Sequence, residues 1–384
     1  MSGKIKTYRE RSDAMKIAVH AKVLSEKRLN GIGYYTYNLL KTLSKIDRVN
    51  EYFLYSNIPL FHKIEAENFR EKILSFPKLW TYLRWPFEFI DGKYEVAFIP
   101  HEKLPFFLKT KSVITVYDLH PLKEYLTSPI SLSAKVHFFI AIKYAIKKAD
   151  KVIAISESTK RDIIENCNIS PNKITVTPLG YNGELYKSYS NKDLIRSVKE
   201  RYGIKGNYII NTSSLLWYRK NLPRLIKAFH ICKSKRVINH QLVITGKKGE
   251  AYSEIIAMIK SLNLKKDVIL TGYISTEDMP ILLSGADLLV FPSLYEGFGL
   301  PIVEAMACGC PVITSNCSAM PEVALDAGML VNPYNEEEIA NVIGKVIEDG
   351  ELRNNMRRKG FERIKMFSWE RTAKETLKVF ESLK

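Results

Sequence analysis

The chain has 384 residues, enough for two domains of ordinary size, and its 46% hydrophobic and 26% charged residues, with 19 Gly and 16 Pro, exclude disorder, collagen-like repeats and coiled coil. No run reaches the ~18 apolar residues of a membrane-spanning helix and residues 1–14 lack the apolar stretch of a secretory signal, so a soluble, cytoplasmic protein is expected. The net charge of +17 is uneven: residues 201–250 carry 11 basic and 1 acidic side chains and residues 251–350 carry 4 and 14, which suits an anionic partner such as a polyphosphate or an anionic lipid surface, and no nucleic-acid motif accompanies it.

Residues 1–14 read as an N-terminal extension. From Met15, MKIAVH predicts a strand and Asn30-Gly31-Ile32-Gly33 a loop, after which Tyr35, Leu39, Leu40, Leu43 and Ile46 share one face of a helix. Segment 76–90, FPKLWTYLRWPFEFI, crowds aromatic residues that could wall an acceptor site or rest on a membrane. Its two prolines interrupt any long amphipathic helix, so core packing is the simpler reading. Strands are predicted at 96–99, 113–116, 151–155 and 174–177, with a helix over 131–148 and another beginning after Ser156 as its cap.

After a polar stretch at 186–206 the alternation restarts. Strands are expected at 207–211, 241–245, 268–270, 287–291 and 311–314, and helices at 221–234, 250–261 and from about 300, with a last helix at 368–383. Two successive βα series imply an α/β protein of two doubly wound parallel-sheet domains, 15–200 and 201–366, with 367–384 as a helix crossing back to the first. Ligands of such sheets bind beyond the carboxyl ends of the strands, so a cleft between the two domains is the expected site. The five cysteines are odd in number and lack metal-ligand spacing; Cys308 and Cys310 fit packing better than redox or metal chemistry.

Three segments carry the candidate chemistry. In 293–314, SLYEGFGLPIVEAMACGCPVIT, a strand turns through Gly297 and Gly299 into a helix whose first turn holds Pro301, and helix-start N–H groups attract anions. Glu296 precedes the turn and Glu304 lies about 6 Å along the helix from Leu300, which suits recognition of different hydroxyls rather than a shared proton. In 217–224, WYRKNLPR, Asn221 is expected to cap the next helix, which places Arg219 and Lys220 beside its positive end, where an anion would justify them. Asn30-Gly31-Ile32-Gly33 lacks the full dinucleotide spacing, which disfavours hydride transfer, and the absence of a D-x-D pair favours metal-independent chemistry.

At these residues the chain resembles the retaining glycosyltransferases of family 4, which have the GT-B fold. The resemblance rests on E-G-F-G-L-P-I-V-E running into EAMACGCPVI, and on NGIGYYTYNLL, VIAISESTKRDI, ITVTPLGYN, SSLLWYRKNLPRLIKAF and FSWE in family order. It implies transfer of a hexose, mannose above others, from GDP-mannose or a UDP-sugar to a glycan or lipid-linked acceptor, with retention of configuration and with no cofactor. It further implies that Glu304 holds the ribose and Glu296 a donor-sugar hydroxyl, that backbone N–H groups of Gly297, Phe298, Gly299 and Leu300 meet the sugar and diphosphate, and that Lys220, with Arg219, grips the diphosphate. Tyr273 would lie near the nucleobase, and Gly31, Ile32 and Gly33 would pass close to the diphosphate. Two positions depart from the family pattern: Ser214 stands where many members have Arg, and Tyr117 where they have the histidine of H-D-L. Asp118 and His120 are candidates to assist there, with His101 as another. The alternatives are a catalytically impaired nucleotide-sugar-binding protein and a nucleotide-sugar epimerase.

Overall fold

The structure, a computed structural model, describes residues 14–76, 78–119, 132–213, 218–249 and 252–384. The expected extension, apart from residue 14, lies outside them, as does His120. The chain divides into two compact units, one running to Gly180 and taking in Trp369–Lys384, the other comprising Tyr181–Ser368.

The first unit is built on a parallel sheet of β1 (Lys16–His20), β2 (Glu51–Ser56), β3 (Phe69–Ile73), β4 (Val96–Ile99), β5 (Lys111–Val116), β6 (Lys151–Ala154) and β7 (Ile174–Val176), in the order β3-β2-β1-β4-β5-β6-β7. The inner strands are apolar along nearly their whole length because helices cover both faces. Strand order reverses between β1 and β4, which opens a crevice at their carboxyl ends. The helix Gly31–Ile46 buries Tyr35, Leu39, Leu40 and Leu43 as its 3.6-residue pattern requires, while Ile46 is half-buried. Against it packs the final helix, Trp369–Glu381, with the Trp369 ring edge-on to Tyr34 and Phe380 against Phe98. Segment 76–90 is split: Trp80, Trp85 and Phe89 are core, whereas Leu79, Leu83, Phe87 and Ile90 are exposed.

The second unit carries β8 (Tyr208–Asn211), β9 (Gln241–Thr245), β10 (Val268–Gly272), β11 (Leu288–Phe291), β12 (Val312–Ser315) and β13 (Gly328–Val331), all parallel, in the order β10-β9-β8-β11-β12-β13. Its reversal falls between β8 and β11. Residues 181–200, which the sequence pattern assigns to the first domain, lie in this unit. The reason is packing: the helix Lys192–Arg201 lies on the helix Asp278–Gly285, where Gly285 leaves room for Ile195, and Asp278 accepts hydrogen bonds from Arg201 at 2.6 Å and Tyr202 at 2.8 Å. No helix among the described residues is long and apolar enough to cross a membrane.

Candidate functional site

In the second unit the sequence-predicted residues collect at the carboxyl ends of β8 and β11, on the two sides of the reversal. Lys220 ends a short 3-10 turn, Tyr218–Lys220, after β8, and Glu296 lies in the loop after β11. Lys220 Nζ donates to Glu296 Oε1 at 2.6 Å, with side-chain exposures of 13% and 10%, and stands 5.2 Å above the Phe291 ring. A salt bridge this dry exists only because each charge satisfies the other. Neither residue is therefore a solvated surface charge.

The loop that presents Glu296 is clamped from behind. Ser318 Oγ accepts from the Glu296 N–H at 3.1 Å and its hydroxyl donates to the Glu296 carbonyl at 2.6 Å, while the Leu294 N–H donates to the Arg219 carbonyl at 2.7 Å. Gly299, at φ 98°, makes the turn into the helix Leu300–Ala307, where no side chain caps the start. That left-handed φ is the reason for glycine at this position. The Phe298 ring packs edge-on to Phe367 and is buried, so only its backbone faces the site. Three hydroxyls at the same strand ends, Thr212 Oγ1, Ser213 Oγ and Ser293 Oγ, are buried without a hydrogen-bond partner among the described residues.

Glu304 sits one turn into the helix. Burial pushes its carboxyl up from the ordinary 4.5 to about 8, against the opposing hydrogen bond from Tyr186. A protonated carboxyl has a donor as well as an acceptor to offer paired hydroxyls. Tyr273, 65% exposed, follows Gly272 at the end of β10, two strands from β8 and so about 10 Å across the sheet.

The first unit presents its own carboxyl-end groups. Gly31, Ile32 and Gly33 are the first turn of a helix and not a loop, because Asn30 caps it: Asn30 Oδ1 accepts from the Gly33 N–H at 2.9 Å. Gly33 thus has its N–H committed, and its lack of a side chain is explained by Leu29 and Val23, which a Cβ would meet at 2.9 and 3.2 Å. At Gly31 a Cβ would meet nothing, so the first turn is open to close approach there.

His101 is held in a relay of neutral rings. The Lys103 N–H donates to His101 Nδ1 at 3.0 Å, so His101 Nε2 carries the proton toward His20 Nδ1 at 3.0 Å, and His20 Nε2–H reaches Thr81 Oγ1 at 2.9 Å. Burial holds His101 down at about 3 and His20 well below its usual value, which removes both from acid–base work near neutral pH. At the histidine position of the family motif, the Tyr117 hydroxyl donates to the Pro100 carbonyl at 2.8 Å and is likewise committed. Beside it, Glu102 accepts from the Tyr117 N–H at 3.2 Å, and burial, with the Asp118 charge adding, raises its carboxyl to about 7.

Two family models match the chain: glycosyl transferases group 1 over residues 195–363 and glycosyltransferase family 4 over residues 29–185. The chain belongs to the family 4 glycosyltransferases. It is 25% identical over 382 residues to O-antigen chain mannosyltransferase B of Escherichia coli, covering 92% of this chain and 97% of that one. It is also 28% identical over 302 residues to the serotype-specific mannosyltransferase WbdA of Escherichia coli, covering 77% of this chain. The match takes in 36% of WbdA, so the chain spans about a third of that relative. The structure of Anabaena HepE in complex with UDP-glucose matches with a TM-score of 0.73 at 20% identity, over 96% of this chain and 100% of that one. The shared architecture is GT-B.

For this family 4 chain, sequence reasoning missed Glu102, Tyr186 and Ser318. Glu102 carries a signal that was available, a carboxylate three residues past a buried strand; the other two are joined to the site by long-range hydrogen bonds that no local pattern encodes. The Glu304 shift has a measurable consequence. Between pH 4.5 and about 8 the folded chain holds a proton there that the unfolded chain has shed, so this group makes stability fall as pH rises through that window. Glu304→Gln, neutral throughout, is expected to gain several degrees in Tm over the parent at pH 8 and little at pH 5, read by thermal melts at both. A difference independent of pH would mean that Glu304 is ionised throughout.

Proposed function

We propose that this chain is a hexosyltransferase that moves a sugar, mannose foremost, from a nucleotide-diphosphate sugar to a glycan or lipid-linked acceptor, with retention of anomeric configuration and without a divalent metal. The observation that carries the reading is the buried Lys220–Glu296 pair beside the uncapped helix start at Gly299, at the strand-order reversal of the second sheet. Breaking the anomeric C–O bond collects negative charge on the departing diphosphate. Lys220 and the amides from Gly297 to Leu300 supply preorganised positive potential for that charge, which is help that grows toward the transition state. Glu296 takes a donor-sugar hydroxyl, Glu304 the ribose, Tyr273 the base, and Arg219 supports the diphosphate. Asp118 and Glu102 orient the acceptor hydroxyl. The departing diphosphate itself takes the acceptor proton, so that attack comes from the face the leaving group vacates. The mannosyltransferase relatives and the UDP-glucose named for HepE support the donor class.

A second reading is favoured by one feature, the Tyr117 hydroxyl bound to Pro100 where the family motif has histidine: a protein that holds the nucleotide sugar without transferring it. Product analysis with GDP-mannose and UDP-sugars separates the readings. A glycoside of retained configuration plus nucleoside diphosphate, undiminished by EDTA, is the expected outcome. An altered donor would identify an epimerase, and tight donor binding without product the second reading.

A further inference from the structure

The first unit has a cavity of about 300 Å³ between the second half of the helix Gly31–Ile46 and residues 63–65 of the β2–β3 connection, walled by Tyr37, Lys41, Lys45, Arg48, Lys63 and Glu65. The helix leaves the carboxyl end of β1 and its last turn delivers the chain to the start of β2. The cavity therefore belongs to the amino ends of the strands, away from the crevice, and Lys41 lies ~15 Å along the helix from Gly31. Both walls are anchored. The Phe61 and His62 N–H groups donate to the Leu24 carbonyl, each at 3.0 Å, and the His62 ring meets the Tyr37 ring edge-on with centroids 5.6 Å apart. On the helix side the Asp47 N–H donates to the Leu43 carbonyl at 2.9 Å.

Tyr37, Lys41, Lys45 and Arg48 recur every three or four residues and so form one stripe, and the helix contains no Asp or Glu to neutralise it. The acids that follow the helix are committed elsewhere. Asp47 accepts from Asn50 Nδ2 at 2.8 Å and from the Tyr52 hydroxyl at 2.5 Å, and Glu51 holds Arg70 at 3.1 Å. Lys41, Lys45, Arg48 and Lys63 accordingly have no ion-pair partner among the described residues, and Lys41 is offered only the Tyr37 ring, 5.6 Å away. Lys41 and Lys45, four residues apart, repel each other. The negative end of the helix favours Lys45 and Arg48 but does nothing for Lys63 across the cavity. Four cations facing one recess are explained by an anion that sits among them. Glu65, the single acid of the wall, narrows its chemistry, because a carboxylate beside bound phosphate is there to accept hydroxyl groups. The volume is at the small end for ligand sites and suits a body of hexose size.

We propose that this cavity binds a soluble, compact polyol bisphosphate of the sugar-bisphosphate kind, its phosphates matched to the Lys41–Lys45–Arg48 stripe and Lys63 and its hydroxyls to Glu65. The site lies outside the proposed transfer reaction, and its readout needs no turnover, so it stands or falls independently of that reading.

The test is isothermal titration calorimetry of the full chain with fructose 1,6-bisphosphate, set beside glucose 6-phosphate and inorganic sulfate at matched ionic strength. Binding of the bisphosphate at a single site is expected, at least about tenfold tighter than that of the monophosphate. Lys41→Gln with Lys63→Gln is expected to raise the Kd about tenfold or more without lowering Tm, since one of two repelling charges on the helix is removed. Lys220→Met with Glu296→Gln should leave the titration unchanged; weakened binding there would place the bisphosphate at the strand ends of the second unit and overturn the proposal. No binding of the bisphosphate, equal binding of sulfate or monophosphate, or an affinity indifferent to Lys41 and Lys63 overturns it as well. Co-sedimentation with phosphatidylglycerol vesicles separates the remaining source of phosphate: vesicle binding that the Lys41 and Lys63 changes abolish, in a chain that ignores the free bisphosphate, would give the cavity to a lipid headgroup instead.

Discussion

Replacing Lys220 by Ala is expected to lower kcat/KM by about 10²- to 10³-fold, the loss typical when one preorganised partner of a developing oxyanion is removed. The geometry sharpens the expectation, because Lys220 is not an isolated cation. Its ammonium is 2.6 Å from Glu296 Oε1 in a nearly dry setting, so Lys220→Ala also strands the Glu296 carboxylate. Breaking a buried pair from one side costs about 3–5 kcal/mol of stability, whereas removing both charges costs much less. The double variant Lys220→Met with Glu296→Gln should therefore recover most of the Tm lost by either single change and none of the turnover. Lys220→Arg should not rescue, since a planar guanidinium cannot reproduce a compact ammonium held above the Phe291 ring. Nucleoside diphosphate release, read beside a thermal melt for each variant, separates a lost catalytic charge from a destabilised loop. Turnover that returns with Tm in the double variant would remove Lys220 from the chemistry.

Much of this arrangement is legible in the sequence where the signal is local. β4 and β9 coincide with the apolar runs at 96–99 and 241–245, and the helix starting at Leu300 follows the Gly299 turn and Pro301 as expected. Signals fade where burial and polarity disagree. β3, FREKI, buries one residue and exposes four as an edge strand, so it shows no apolar run. β2, EYFLYS, is almost wholly buried, but two of its residues are tyrosines whose hydroxyls are satisfied by residues outside the strand, Tyr52 by Asp47 at 2.5 Å and Tyr55 by Tyr94 at 2.5 Å. The same limit applies to the site. The two glutamates and the lysine are visible as residue types, but the Lys220–Glu296 bond joins positions 76 residues apart, and nothing along the chain predicts that they neutralise each other.

Asn221 shows the limit most clearly and carries an expected effect on stability as large as that of breaking the Lys220–Glu296 pair. Its type and place predict a side-chain cap, yet it occupies the cap position at φ 57° without making that bond. Its Nδ2 instead donates to the Pro292 carbonyl at 3.0 Å and the Pro333 carbonyl at 2.6 Å, and its Oδ1 accepts from Arg224 at 3.1 Å. Proline has no N–H of its own, but its carbonyl is an ordinary acceptor, and here one buried amide satisfies two of them and ties the loops after β11 and β13 to the start of the helix Leu222–Ser234. Asn221→Leu orphans both carbonyls and places a branched side chain in left-handed backbone. The sum is expected to be about 3–5 kcal/mol, at the severe end for one substitution. Asn221→Gly keeps the backbone comfortable while losing the same hydrogen bonds, so it should be milder by about 1 kcal/mol, which isolates the conformational share. The Pro292 loop leads directly to Glu296, so Asn221→Leu should also lower nucleoside diphosphate release at temperatures below its melt. Equal Tm losses for Leu and Gly would assign the whole effect to the hydrogen bonds, and a loss under about 1 kcal/mol for both would show that the strap across the strand ends is dispensable.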